Sequence, residues 1–278
     1  MILSVSNIAW APEERLEAYD ILAEAGIAGL EIAPGLFFQD AADPFAPDVS
    51  TAAAALEEIS ARGLSLVSMQ SLLFGLQGAQ LLGDPDARTA FEIGITRAID
   101  LAERFGIPNL VFGSPEQRRI PEGMVRAEGW AQAADFFRKL GDHAAAAGTS
   151  LAMEANPAAY GTNFLITLEE AEEFVAQVDH PAVKLVIDLG TMHMNGTFDT
   201  IVQRIPALVS RLSHVHVSEP HLAPAPNDTT NLKPVFASLQ RAGYGRAVSL
   251  EMRRPKDGLA GLHSRVTAMA TAASKTPE

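Results

Sequence analysis

The sequence predicts an α/β fold, a closed (β/α)8 barrel forming a single domain over residues 1–278. Three observations lead there. Short apolar segments with strand character, eight in all, alternate with stretches of helical periodicity. The 278 residues shared among eight units give about 35 residues each, enough for one strand, one helix and two connections. Connections from helix to strand are short and carry glycine, whereas those from strand to helix are mostly long and rich in proline. An open doubly wound sheet is the rival. It calls for a glycine-rich phosphate turn after the first strand, and Ser6-Asn7-Ile8-Ala9-Trp10 is not one.

The elements follow in order. Residues 2–6 read as a short buried strand. Pro12 suits the first turn of a helix whose apolar face carries Leu16, Tyr19 and Ala23, and Gly26 stops it. Gly29-Leu30-Glu31-Ile32 is the second strand, followed by a proline-rich loop from Ala33 to Val49. A helix from about Ser50 ends at Arg62-Gly63, and Leu64 to Met69 is the third strand. The loop from Gln70 to Asp84 carries Leu72, Leu73, Phe74 and Leu76, which predicts a segment folded down as a lid or rim, or an oligomer contact. Asp86 to Phe105 is the clearest helix, with Phe91, Ile95, Ala98, Ala102 and Phe105 at three- and four-residue steps. Asn109 to Phe112 is strand four. A helix with Trp130, Ala134, Phe137 and Leu140 on one side ends near Gly148, and Ser150 to Glu154 is strand five. Thr167-Leu168-Glu169-Glu170 is a capping box opening the next helix. Val183 to Asp188, Leu212 to Val217 and Ala247 to Glu251 are strands six to eight.

Composition narrows the function. The hydrophobic fraction of 47% allows a sizeable core. A formal net charge of -13 repels phosphate backbones and anionic lipid, so neither nucleic acid nor membrane is expected as a partner. There is no cysteine, which removes disulfides, thiolate metal sites and a cysteine nucleophile. No signal-peptide pattern opens the sequence and no apolar run is long enough to span a bilayer, so a cytoplasmic protein is expected.

All the long loops lie at one end of such a barrel, the carboxyl end of the strands, where this fold places active sites. Glu31, Glu154, Asp188, His216 and Glu251 sit there. His214 and His216 are two apart and share one side of a strand, with His216 nearer the carboxyl end. Three further apolar strands end on an acid, at Glu154, Asp188 and Glu251, and a carboxylate at the tip of an apolar strand is costly unless paired or metal-bound. Three carboxylates and one imidazole suit a hard or borderline divalent ion: Mn²⁺ first, with Mg²⁺, Co²⁺ and Zn²⁺ as alternatives. By position at this end, Glu31, Gln70, Arg118, Asn156, His193, Glu219 and His221 are candidate substrate contacts. Arg118 could hold a phosphate or carboxylate. Lone His143, His180 and His263 fall in helices or turns and read as surface residues.

A resemblance adds to this. Leu82-Gly83-Asp84-Pro85-Asp86-Ala87-Arg88, Val111-Phe112-Gly113-Ser114-Pro115, Met153-Glu154-Ala155-Asn156-Pro157 and Ser213-His214-Val215-His216 resemble the sugar-phosphate isomerase/epimerase family. These are xylose isomerase-like TIM barrels that include the ketose 3-epimerases. The resemblance runs from about Ile2 to Met252 and marks the superfamily better than the substrate. It implies that Glu154, Asp188, His216 and Glu251 are metal ligands, and that Glu154 and Glu251 also exchange a sugar proton through an enediolate. The sequence departs from the epimerases at Thr191, where they have a histidine, at Tyr160, where they have an acid, and at His221-Leu222, where they have an arginine. The implied activity is isomerisation or epimerisation of a sugar, sugar phosphate or related hydroxy-carbonyl compound. A lyase working through the same enolate and a metal-free enzyme resembling hydroxypyruvate isomerase are alternatives, and a non-catalytic sugar-binding barrel is the alternative of another class. A homo-oligomer is compatible with the sequence. Endonuclease IV-type repair shares the barrel but needs a histidine-rich site and a basic face, against seven histidines and a charge of -13 here.

Overall fold

The computed structural model describes residues 1–274. In order the elements are β1 (Ile2–Ser6), α1 (Arg15–Glu24), β2 (Gly29–Ile32), α2 (Pro34–Phe37), α3 (Val49–Ser60), β3 (Ser65–Met69), α4 (Pro85–Phe105), β4 (Leu110–Phe112) and α5 (Arg126–Ala146). Then come β5 (Leu151–Met153), α6 (Leu168–Val178), β6 (Val183–Asp188), α7 (Leu189–Met194), α8 (Ile201–Leu208), β7 (Leu212–Val217), α9 (Thr229–Arg241), β8 (Ala247–Leu250) and α10 (Leu259–Ala273). The strands close in sequence order, β1 through β8, as the alternation predicts, and the pairings given are all parallel. The chain falls into two compact units, residues 1–67 with 188–278 and residues 68–187.

In the first unit β1 lies between β2 and β8, and β8 pairs with β7. One register line runs Gly29, Ser4, Ser249, His216. Small residues are needed along it. A Cβ on Gly29 would come 2.7 Å from the Ser4 Cβ, and the Ser4 and Ser249 hydroxyls bond at 2.6 Å. The barrel is therefore tightly filled at the level of His216.

The second unit is built on aromatic packing. Phe112 of β4 meets Phe91 of α4 edge-on at 5.7 Å between ring centroids and Phe137 of α5 at 5.0 Å. Trp130 and Phe164 cross at 5.4 Å. Such offset and edge-on pairs are the favoured aromatic geometries. In this unit α4 and α6 start on polar caps. Asp84 accepts from the Ala87 N–H at 2.9 Å, with Pro85 at the first helical position. Gly106 at φ 64 closes the same helix in the left-handed region. At α6 the Thr167 hydroxyl accepts from the Glu170 N–H at 3.2 Å. Glu170 reaches one residue further back than a capping box predicts, to the Ile166 N–H at 2.8 Å.

The apolar loop after β3 folds down, as its composition predicts. Leu72 and Leu73 are buried, Leu73 beside Gly94 of α4, while Phe74 is 58% exposed. Gly94 makes room for it, since a Cβ there would lie 2.3 Å from Leu76 Cδ1 and 2.6 Å from Leu73 Cδ2. The expected ends of strands five and eight shift by one residue: β5 stops at Met153 and β8 at Leu250, so Glu154 and Glu251 stand just beyond the ladder.

Candidate active site

In the first unit the acidic and imidazole groups meet on β7. His216 lies within β7 and is fully buried. Its Nδ1 is 3.7 Å from Asp188 Oδ2 and 3.3 Å from Glu251 Oε2. Each carboxylate is held by its own local structure. Asp188 is the last residue of β6 and the N-cap of α7: its Oδ1 accepts from the Thr191 N–H at 2.5 Å. Its Oδ2 accepts from the Ser218 hydroxyl at 2.6 Å, and Ser218 Oγ in turn accepts from the Gly190 N–H at 2.9 Å. Glu251 follows β8, and its N–H donates to Val217 O at 3.0 Å. The expected placement of Asp188, His216 and Glu251 together is what the strand ends produce.

The other edge of His216 faces Glu31. Its Nε2 is 3.0 Å from Glu31 Oε1, and His214 Nε2 is 2.8 Å from Glu31 Oε2. All three side chains are fully buried. Burial works to raise the Glu31 pKa, but the charges of His216 and then His214, with their hydrogen bonds, outweigh it and hold the carboxyl far below the usual range. Glu31 therefore corrects the expectation of a substrate contact: it is a buried partner of two imidazoles. With its Nε2 turned to Glu31, His216 offers Nδ1 toward Asp188 and Glu251, the carboxylate–histidine arrangement that fixes a tautomer for metal binding.

In the second unit Glu154 stands at the carboxyl end of β5, 8% exposed. Asn156 Nδ2 donates to Glu154 Oε2 at 2.9 Å. Arg118 is the second correction. It was expected as a loop charge free to grip an anion, but it is fully buried and committed to its own chain. Nη1 donates to Glu154 O at 2.7 Å; Nη2 donates to Asn156 Oδ1 and Leu165 O, both at 3.1 Å. Burial pushes its pKa down to about 9, with Glu154 and Glu170 working the other way, so it stays charged at neutral pH. The neighbouring Arg119 takes the exposed role instead, lining a shallow surface hollow with Glu122 and Asn163. Asn156 is likewise a buried partner of Glu154, 7% exposed.

Gln70 is 9% exposed just after β3. His193 is exposed on α7, with its ring stacked on Phe198 at 3.9 Å and 11°. His193 and Glu219 both line a cavity of 330 Å³ with Leu189, Phe198, Ser218 and Asn231. Glu219 also accepts from the Asn227 N–H at 2.8 Å. His221 is exposed with φ 61, in the left-handed region. Thr191, at the position where the epimerases have a histidine, lies within α7 and is 3% exposed. Of the histidines expected on the surface, His263 is exposed, and His143 lies 3.1 Å from Asp100. His180 is more covered than expected, with 11% of its side chain exposed beside Asp142 at 3.2 Å. Sequence reasoning missed Ser218 and Gly113. Both are small polar or apolar residues at strand ends, distinguished only by the acid each one faces.

The donor set fits a divalent ion. Anionic carboxylates converging on one imidazole edge within a largely buried pocket repel one another unless a cation or proton sits among them. Asp188, His216 and Glu251 supply oxygen and nitrogen donors suited to that role.

Comparison with known proteins agrees with this architecture. The family described as xylose isomerase-like TIM barrel matches residues 19–272. A curated relative, D-psicose 3-epimerase of Ruminiclostridium cellulolyticum, is 29% identical over 138 residues. That match takes in 49% of this chain and 46% of the relative, so the chain spans about half the length of the curated relative it matches. Among solved structures, D-psicose 3-epimerase from Clostridium cellulolyticum H10 superposes with a TM-score of 0.72 at 18% identity, covering 98% of this chain and 96% of that one. The 3-keto-D-glucoside 4-epimerase of E. coli superposes with a TM-score of 0.75 at 20% identity, covering 98% and 99%. At these identities the superpositions speak for the fold, whereas the family match takes in most of the sequence: the chain belongs to the xylose isomerase-like TIM-barrel family.

Proposed function

We propose that this protein is a divalent-metal-dependent isomerase or epimerase of a sugar, sugar phosphate or related hydroxy-carbonyl compound. The observation that carries the reading is the grouping of donors in the first unit, where His216 Nδ1 lies 3.7 Å from Asp188 Oδ2 and 3.3 Å from Glu251 Oε2; Glu154, just beyond β5, is the fourth ligand that the family resemblance implies. Mn²⁺ is the ion of choice for three carboxylates and one imidazole. Bound there, it supplies a Lewis acid that acidifies the C–H beside a substrate carbonyl.

The chain's own groups do the rest. Glu154 and Glu251 follow strands three steps apart in the ring, β5 and β8, and so approach a substrate from different sides. One carboxylate takes the proton from carbon, and the electron pair moves to the carbonyl to give an enediolate. Return of the proton to the other face of the same carbon epimerises; return to the neighbouring carbon isomerises. The activities that the relatives are named for, psicose 3-epimerisation and 3-ketoglucoside 4-epimerisation, support a sugar-like ligand of this class. The formal net charge of -13 supports a small-molecule partner rather than nucleic acid. The test is a panel of ketoses, ketosugars and sugar phosphates with Mn²⁺ in D₂O, read by NMR. Metal-dependent deuterium uptake at a carbon beside the carbonyl is expected. Turnover with no solvent deuterium, or product lacking the elements of water, sends the assignment to a shielded transfer or a lyase.

A further inference from the structure

Nothing in the proton transfer itself accounts for a fully buried arginine next to the site. Arg118 sits in the loop after β4, where a 3₁₀ turn over Glu116–Arg118 carries its side chain inward. A buried cation needs hydrogen bonds to offset its lost hydration. Here the two terminal nitrogens reach Glu154 O, Leu165 O and Asn156 Oδ1, while Nε is buried without a partner among the described residues. The Asn156 N–H also donates to Leu165 O at 3.0 Å, so the segment after β5 is pinned from two sides.

The hydrogen-bond polarity of this chain has one solution. Guanidinium is donor only, so Arg118 Nη2 requires the amide oxygen of Asn156. An ionised carboxylate is acceptor only, so Glu154 Oε2 requires the amide nitrogen. An amide that would otherwise be free to flip is therefore fixed, and with it the plane of the Glu154 carboxylate. Gly113 bounds the same carboxylate on another side, since a Cβ there would stand 2.6 Å from Oε2.

We infer that Arg118 and Asn156 are positioning residues for Glu154: a buried donor chain, Arg118 to Asn156 to Glu154, sets the carboxylate orientation in which it binds metal and carries the proton. The inference rests on the role proposed for Glu154. It places a specificity for asparagine at position 156, because aspartate would set acceptor against acceptor and leucine would remove the bond to each neighbour. Loss of such an outer partner ordinarily lowers metal affinity about 10- to 100-fold.

The experiment compares metal-free crystal structures and Mn²⁺ titration calorimetry for wild type, Asn156→Leu and Asn156→Asp, with thermal melting of each. Expected are a displaced Glu154 side chain in both variants, Mn²⁺ affinity lower by at least ~10-fold, and KM for substrate changed less than kcat. Arg118→Lys, which keeps the charge but not the fork, should move affinity in the same direction; if it does not fold, the Asn156 variants decide. A Glu154 carboxylate unmoved in Asn156→Leu overturns the inference. So does a lowered melting temperature with unchanged Mn²⁺ affinity, which would make the arginine a loop clamp only. Absence of Mn²⁺ binding by wild type would instead sink the metal assignment, and the position of Glu154 in the metal-free crystals would still decide the donor chain.

Discussion

Gly113 and Glu154 face each other across a gap too narrow for a methyl group. A Cβ at position 113 would stand 2.6 Å from Glu154 Oε2 and 3.3 Å from Asn156 Oδ1. The backbone at 113 is not left-handed, so alanine carries no conformational penalty there and its whole effect falls on the carboxylate. Gly113→Ala should fold normally and lose about 10²-fold in proton exchange, the scale expected for a catalytic group displaced by ~1 Å. Deuterium uptake and a melting curve measured side by side check it; full exchange activity would mean that Glu154 tolerates displacement.

Asp188 serves two masters, capping α7 and facing His216. Asp188→Asn keeps an acceptor for the Thr191 N–H but removes a charge from the donor set. The helix should persist, and stoichiometric Mn²⁺ should be lost. Elemental analysis after metal soaking and dialysis reads the outcome, and retention of one ion per chain would remove Asp188 from the ligands.

The two histidines of β7 should part company on mutation. His216→Ala is expected to lose metal, because its Nδ1 faces both carboxylates. His214→Ala leaves the fully buried Glu31 with one imidazole fewer, and breaking such a buried pair costs about 3–5 kcal/mol. Its signature should be a lower melting temperature. Loss of metal by His214→Ala but not by His216→Ala would reverse the register.

Acid sensitivity should trace in part to Glu14. The Arg254 guanidinium bonds both its oxygens, at 2.8 and 2.6 Å, and the Ala11 N–H donates at 3.0 Å. Chiefly through Arg254, its pKa is lowered to about 2. A carboxyl depressed in the folded state contributes stability above its unfolded pKa of about 4.3 and loses it as pH falls toward 2. Glu14→Gln should therefore cost about 0.5–1 kcal/mol at neutral pH, as exposed pairs do, and progressively less as pH falls through about 2. Urea melts across that range test it; a constant difference would assign the effect to packing.

The barrel was legible in the sequence because each strand is short, apolar and punctuated by Gly or Pro, and because loop lengths alternate between the two ends. The acids ending strands five, six and eight were legible for the same reason: a charge after Leu-Ala-Met or Leu-Val-Ile has no place in a core unless it is used. Arg118 was not. It adjoins Arg119 in a polar loop, and only the 3₁₀ turn decides which of the two is carried inward. Glu31 was misread because a strand of four residues shows too little alternation to tell a buried carboxylate from one at the rim. The evidence for its burial lies on another strand, in the paired histidines of β7. Thr191 falls in the same class: its backbone caps onto Asp188, a role that any residue type could fill.

The distance along the chain between Glu31 and its imidazole partners also bears on how the protein is made. His216 lies 185 residues after Glu31. During synthesis that separation is roughly 10–40 s at ordinary elongation rates. Throughout that interval the carboxylate has no imidazole to meet, and a lone charge resists burial. The unit containing β1 and β2 is itself discontinuous, joining residues 1–67 to 188–278. The first-made quarter of the chain therefore meets its partners only when the last third is made, and it is in that waiting period that the chain would depend most on chaperones.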